Sequence, residues 1–546
     1  MKTLKSVLLS VAFILIIFNC FSQQLAKNNQ KKQFKDARRF VMYSKYSTAL
    51  PILLNLQHTD TANVNLNYLV GLCYLNSESE KEKAIPFLKN ASKNMSQKYK
   101  GIKLNENKAP FKTMLHLGQA YHFIYQFAQA ENYFVKYKEL VSDNLKEIKI
   151  ADRYIEMCKN GELLLKDSID ISIDNVGTII NSEFDEHTPC LTTDEKTLIF
   201  TSRRRESTGG KLNEDGKYFE DIYISNKVEN KWTNPRNISS KINTEGHEAT
   251  VCLSADGLEL YIYKDDGGDG NLYVSYFEKN EWTVPEKLES NINTPNNETS
   301  ATISSEGTTL IFSSDRGNGK GGKDLYIVTR LPGGEWSLAQ NIGALINTEY
   351  DEEGPFLHPD GTTLYFSSKG HNSIGGYDLF YCELQIDGTW GKPVNMGYPI
   401  NTTSDDVYYV MSADGKRAYF SSIRNDGFGG RDLYIINFLS LPERASAVIK
   451  GTIQMEGTTE IPKNIVINVN EKKTGKLVGT YKPNKENGNY IIVLRQGKDY
   501  LFTCETPDLI FSPETISIPD KSAFQQINKP IILNPIGTIR KKNDKH

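Results

Sequence analysis

The chain has 546 residues, too many for one hydrophobic core and enough for about three domains. Hydrophobic residues make up 38% and charged residues 24%, proportions of folded domains rather than of a disordered tail. A net charge of −3 excludes the strong basic field that nucleic-acid or anionic-membrane binding relies on.

The first predicted element is an export signal over residues 1–22. Lys2 and Lys5 precede an apolar run from Val7 to Phe18, too short to span a bilayer comfortably. Cys20-Phe21-Ser22 then places small residues where a signal peptidase reads, so Gln23 is the expected mature N-terminus, with no transmembrane segment after it. Cys20 is the alternative site of a lipid anchor, but Asn19 stands where lipobox sequences carry Gly, Ala or Ser. Cys73, Cys158, Cys190, Cys252, Cys382 and Cys504 are scattered through apolar stretches without a CxxC, and read as small buried hydrophobes rather than a disulfide framework.

Residues 31–166 have helical periodicity. Ala37, Gly71 and Gly118 each precede an aromatic by three residues (Phe40, Tyr74, Tyr121), and a second small residue follows at Ala49, Ala84 and Ala130. Large apolar residues come four later, at Leu53, Leu88 and Phe134. Small residues let antiparallel helices approach while the larger ones fill the space beside them. The spacing resembles the tetratricopeptide repeat. Ala37 to Gly71 is 34 residues and Gly71 to Gly118 is 47, which predicts a 13-residue insertion around Met95–Asn107 that lengthens a loop. Ile148–Leu165 is the expected closing helix. The resemblance implies a concave peptide-binding stripe, on which Phe34, Arg38, Tyr68, Leu72, Leu115, Gln119 and His122 fall, with Val41 and Leu75 beside them. The competing reading is that several of these form the core between helices.

From residue 167 to 440 the pattern changes to short strands with a repeat near 54 residues. Ile180-Asn181, Ile242-Asn243, Ile292-Asn293, Ile346-Asn347 and Ile400-Asn401 mark it, as do the turn residues Asp194, Asp256, Glu306, Asp360 and Asp414. Both series step by 62, 50, 54 and 54, and all four tryptophans (Trp232, Trp282, Trp336, Trp390) fall at one place in the unit. Each unit reads as four strands with a Trp strand last, and such sheets must stack around an axis. The fifth unit turns at Pro442 without its Trp strand, and Ile169–Val176 is predicted to supply the missing one, giving five blades. The D-G-x-x-L-Y-F-S-S, G-G-x-D-L-Y and W-x-x-P-x-N-x-G-x-x-I-N-T elements resemble TolB-like, WD-related propeller repeats. Tyr218-Phe219-Glu220 departs from this pattern, standing where later units carry Gly-Gly.

Residues 445–520 alternate with period two: Val448–Gly451, Ile465–Val469, Tyr490–Leu494 and Tyr500–Phe502 are predicted strands. Gly451, the T-G-K turn at Thr474, Gly488-x-Tyr490 and Gly497-x-x-Tyr500 resemble the carboxypeptidase-regulatory-type β-sandwich, and residues 521–546 read as a C-terminal tail. Taken in order, the three modules resemble envelope proteins linked to type IX secretion, in which an OmpA-like peptidoglycan-binding domain normally follows. Asn528–Gly537 looks like the lead-in to that domain, and the chain then stops, so direct peptidoglycan binding is not expected.

No catalytic, metal or cofactor site is predicted. There is no G-x-S-x-G or H-E-x-x-H, and the eight histidines are dispersed. His187 and His247 lie 60 apart in adjacent units and read as repeat homology. Asp265–Asn271 resembles a calcium loop without the terminal glutamate, and reads as a turn. The recurring Asp of Asp-Leu-Tyr and the Ser pairs read as structural. The expectation is a non-enzymatic, exported scaffold, periplasmic or outer-membrane-associated, whose partners are other envelope or secretion-machinery proteins. A receptor for glycan or peptide on the propeller face is the second reading.

Overall fold

The computed structural model describes residues 27–535 except 78, 79, 168, 214, 215, 442, 445, 459, 463, 507, 508 and 521–523. The expected export signal, Cys20 and Gln23 lie outside the described residues. The chain divides into two compact units, Met1–Leu163 and Leu164–His546. Among the described residues no helix is long and apolar enough to cross a membrane.

The first unit is built from α1 (residues 27–42), α2 (Tyr46–Thr59), α3 (Val64–Leu75), α4 (Ala84–Ala91), α5 (Lys112–Phe123), α6 (Phe127–Leu140) and α7 (Leu145–Leu164). Its small residues sit where helices cross. A Cβ on Gly71 would fall 2.6 Å from Leu88, one on Gly118 2.5 Å from Phe134, and one on Gly161 2.4 Å from Phe127. Ala37, Ala49, Ala84 and Ala130 are fully buried at the matching places. The predicted fillers Phe40 and Tyr74 are only half-buried; Tyr121 is buried.

The second unit opens with five antiparallel sheets in a ring, blades 1 to 5. The first strands are Glu186–Leu191, Glu248–Leu253, Glu298–Ile303, Glu352–Leu357 and Asp406–Met411, and each packs on the next, the last against the first. Second strands (Thr197–Ser202, Glu259–Asp265, Thr309–Ser314, Thr363–Ser368, Arg417–Ser422) and third strands (Asp221–Val228, Gly270–Glu278, Asp324–Thr329, Asp378–Glu383, Asp432–Phe438) follow outward. The outermost pairing departs from the sequence reading in two blades. In blades 1 and 2 the tryptophan segments Lys231–Trp232 and Glu281–Trp282 do pair with the third strand, whereas in blades 3 and 4 the outer strand is the later Gln340–Asn341 or Val394–Asn395, and Trp336 and Trp390 only bridge back to Arg330 and Leu384. In blade 5 the outer strand is Ile171–Asn175, in register from Ile171 opposite Phe438 to Asn175 opposite Tyr434.

The repeated polar residues stitch this ring. Each asparagine of the Ile-Asn pairs accepts from the backbone N–H, and donates to the carbonyl, of one third-strand residue: Asn243 with Ile222, Asn293 with Leu272, Asn347 with Leu325, Asn401 with Leu379. Asn181 makes the same pair of bonds to Leu433 and so joins the two ends of the ring. Asp221, Asp324 and Asp378 accept from Asn237, Asn341 and Asn395 of their own blades. Asp432 accepts from Asn175 of the closing strand, at 2.8 Å.

The remaining residues form two sheets around one apolar core that includes Ile449, Ile467, Leu494, Phe502 and Leu533. One sheet holds Ser446–Met455 and Asn489–Arg495; the other holds Leu477–Tyr481, Val466–Glu471, Lys498–Glu505 and Glu514–Ile518. The boundary at residue 520 is corrected. Gln525–Asn528 and Ile531–Pro535 pair in parallel with Ser446–Met455, and Ile531 and Leu533 are core residues, so this stretch is sheet and not tail.

Candidate functional site

Four of the seven residues expected on an open concave stripe are buried instead: Phe34, Tyr68, Leu115 and His122. Tyr68, at 7% exposure, lies edge-on to Tyr99 at 5.7 Å and stacks on His116 at 5.8 Å. The His122 ring meets Phe127 at 5.3 Å. Arg38, Leu72 and Gln119 are half-buried, and Gln119 donates to the Tyr154 hydroxyl at 2.6 Å. Phe34 and Arg38 border a cleft of about 900 Å³, rimmed by Lys31, Lys35, Ile102 and Leu104. Most of the stripe is therefore helix packing covered in part by the inserted segment, and what stays open is the cleft beside Phe34 and Arg38.

A different constellation forms at one end of the ring axis, where the first strands begin. Residues from four positions of the repeat meet there, and the first and last of these positions differ in every blade. After the first-strand carboxylate come His187, Ala249, Thr299, Glu353 and Val407; next along are Thr188, Thr250, Ser300, Gly354 and Tyr408. The second strands contribute Thr201, Tyr263, Ser313, Ser367 and Ser421. Just before the Asp-Leu-Tyr place stand Glu220, Gly270, Lys323, Tyr377 and Arg431.

Glu220 is the hub of one side. Arg203 donates to its Oε1 at 2.6 and 3.1 Å, His187 Nε2 lies 3.3 Å from the same oxygen, and His247 Nδ1 lies 3.4 Å from Oε2. Burial alone would raise this carboxyl, but the bonds from both histidines and the charges of His187 and Arg203 hold it well below the usual carboxylate range. The two histidines are not repeat equivalents, which corrects the sequence reading. His187 follows Glu186 whereas His247 precedes Glu248, and the equivalent of His187 is Ala249. They converge on one carboxylate because blade 1 carries Glu220 where other blades carry Gly, Lys, Tyr or Arg.

Across the axis, Lys323 Nζ lies 2.8 Å from Glu353 and Thr299 donates to it at 2.7 Å. Burial opposes ionisation of Glu353, yet the charge and hydrogen bond of Lys323, with Thr299 and Tyr377, keep its pKa lowered. Three tyrosines complete the mouth. Tyr377 is buried and its phenol is pushed up by burial and by the charge of Glu353. Tyr263 stands opposite Ala249, is pushed up to about 12 by burial first, and depends on Gly270, where a Cβ would fall 2.4 Å from its ring. Tyr408 sits at a register shift with φ +59°, a left-handed conformation that a bulky residue adopts only under strain. The bulge aims its ring at His187, 5.9 Å away. None of these residues was singled out from sequence as a binding residue, because a site built where a repeat varies has no periodic signal.

The opposite end of the axis is covered. There the sandwich meets all five blades. Lys450 reaches Asp194 at 3.8 Å, and Lys485 reaches Glu278 at 3.3 Å. Gly479 has no room for a Cβ against Glu306. Arg495 donates to the Asp360 carbonyl at 2.9 Å, and Ser446 to the Ala413 carbonyl at 3.1 Å. Arg444 donates to the Tyr365 hydroxyl at 2.6 Å, and Ala413, Val448 and Val493 share an apolar contact.

No protein-family model matches the chain, and no curated protein matches it. Solved structures resemble it loosely. TolB from Acinetobacter baumannii is 12% identical with a TM-score of 0.32, over 53% of this chain and 69% of that one. A gluconolactonase from Xanthomonas campestris is 9% identical with a TM-score of 0.28, over 49% and 89%. A GH43 β-xylosidase/α-arabinofuranosidase from a compost microbial metagenome is 11% identical with a TM-score of 0.34, over 49% and 94%. Likenesses of this size carry no argument about function.

Proposed function

We propose that the protein is an exported, non-enzymatic scaffold of the cell envelope, periplasmic or outer-membrane-associated, that holds partner proteins at the open mouth of its five-bladed ring. The observation that carries the reading is the contrast between the two ends of the axis. One is taken by the sandwich, and the other gathers Glu220, Glu353, Tyr263, Tyr377 and Tyr408 at positions the repeat leaves free. Its chemistry suits holding more than hydrolysis. Glycoside hydrolysis needs one carboxyl kept protonated near neutrality to serve as acid. Glu220 and Glu353 are instead pushed toward the ionised form by cations already in contact. The resemblance of the module series to type IX secretion-associated proteins, with tetratricopeptide-like helices and a carboxypeptidase-regulatory-like sandwich, supports the further reading that the partners belong to that machinery.

The test is capture from solubilised envelope with the tagged mature chain and with Tyr408→Gly. Blade 4 already carries a glycine, Gly354, at the same place. Relief of left-handed strain, about 1 kcal/mol, offsets part of the lost ring contact. The variant should therefore melt within a few degrees of wild type and lose captured protein at least tenfold. Equal capture by both chains would remove the mouth from the account. Retention of polysaccharide instead of protein would favour the glycan-receptor reading, for which paired charges and aromatic rings are also suitable.

A further inference from the structure

The net charge of −3 is the sum of two opposed halves. Residues 27–163 carry 22 Lys and Arg against 13 Asp and Glu, whereas residues 164–546 carry 40 against 54. The lack of a strong overall field therefore conceals a basic first unit. Much of its excess gathers at the cleft beside Phe34. Lys27, Lys31, Lys35, Arg38, Arg39 and Lys103 border it, with Asp36 the single acid there among the described residues. Lys27, Lys31 and Lys35 follow at four-residue spacing and so share one face of α1. Asp36 is taken by Arg39, 3.5 Å away. Lys27, Lys31, Lys35, Arg38 and Lys103 form no ion pair among the described residues.

Lysines without partners are ordinary on a surface; what stands with these is not. Met42 is 70% exposed on the α1 bank of the cleft and Ile102 is 57% exposed on the other, with Tyr43 at 68% beside Met42. Ile102 cannot readily fold inward, because the main chain on both sides of it is held. Its N–H donates to Glu106 at 3.2 Å, and the Lys103 and Leu104 carbonyls accept from Asn65 and Asn63 of the α3 region at 3.3 and 2.9 Å. Between the banks lie Phe34, buried, and Leu104, half-buried.

We propose that this face of the first unit rests on an anionic phospholipid surface. Lys27, Lys31, Lys35 and Lys103 meet lipid phosphates, while Met42, Tyr43 and Ile102 enter the headgroup layer. Apolar side chains beside flexible lysines are the chemistry of an interfacial contact, since the lysine stems lie along apolar surface and their ammonium groups stay at phosphate level. An acidic polypeptide would answer the same charges. It would draw its apolar contact from the walls of the cleft, however, and here the most exposed apolar groups stand on the outer rims. The proposal concerns the first unit alone and is independent of the ring mouth.

The chain from Gln23 onward lacks Cys20, so any membrane binding it shows owes nothing to an attached lipid. It should sediment with vesicles of equal parts phosphatidylglycerol and phosphatidylcholine, and not with phosphatidylcholine alone. Raising the ionic strength from about 0.1 to about 1 M shortens the screening length from about 10 to about 3 Å and should release most of it. A basic side chain at an anionic surface is worth roughly fivefold in partition, so Lys27→Gln/Lys31→Gln/Lys35→Gln should weaken binding at least about thirtyfold. Met42→Ser/Ile102→Ser should weaken it at least about fivefold. Both variants alter exposed side chains and should keep the wild-type melting temperature. Lys136→Gln/Lys149→Gln/Lys159→Gln, on α6 and α7, should bind as wild type does. An equal loss in that control, or no binding to anionic vesicles, overturns the proposal. Undiminished binding by the serine pair counts against it too, because a purely electrostatic contact makes no use of the apolar rim. Tighter capture of soluble polyglutamate than of the vesicles would make the occupant an acidic polypeptide and overturn the lipid assignment.

Discussion

In four of the five blades the buried first-strand carboxylate has a basic side chain within reach: Arg204 for Glu186, Lys264 for Glu248, Arg316 for Glu298 and Arg424 for Asp406. Blade 4 has Gly370-His371 there instead, and His371 Nε2 lies 2.9 Å from the Ile346 carbonyl oxygen. Glu352 is left with the Ser368 and Thr348 hydroxyls and one backbone N–H, and burial pushes its carboxyl up to about 7. A carboxyl raised in the folded state, from about 4.3 when unfolded, stabilises most at pH below the unfolded value. That stabilisation is lost as pH rises through 7. Asp378, pushed up to about 8 by burial, has the same sign. The melting temperature should therefore fall between pH 5 and 8, and Glu352→Gln should flatten the slope without abolishing it. Calorimetry across that range checks this, and an unchanged slope in the variant would show that Glu352 does not titrate there.

Among elements, the strand Ile171–Asn175 has the clearest consequence. It fills the outer edge of blade 5, gives Asp432 its asparagine and leads directly to Asn181. A chain beginning at Asn181 should expose that edge and aggregate. A soluble monomer with unaltered melting temperature on size exclusion and calorimetry would contradict the pairing. This strand was legible because counting strands left one unit short after Pro442. Regular side chains were legible too, such as the small residues at helix crossings, since their spacing repeats. The concave stripe was misread because helical spacing says which residues share a face, not what lies over it. Tyr68 is buried by Tyr99 of an insertion whose composition reads only as polar. Gln525–Pro535 was missed because a parallel strand added late to a sandwich has no hairpin partner beside it in sequence.

At the scale of the whole second unit, ring and sandwich behave as one body only while their contacts hold. Arg444 ties both, through Tyr365 and, at 3.1 Å, the Thr363 hydroxyl. Arg444→Ala should cost about 2 kcal/mol, as loss of bonds from a charged donor does. It should also split a single denaturant transition into two; one transition at the wild-type midpoint would mean the contact is incidental. The seam of the ring has a further meaning in time. Asn175 waits for Asp432, 257 residues downstream, and a chain emerging at roughly 5–20 residues per second takes some tens of seconds to deliver it. Until then the early blades stand as an open arc with bare strand edges at both ends. The protein is most exposed to misassembly while its chain is still being completed, and whatever accompanies it then must shield an unfinished circle.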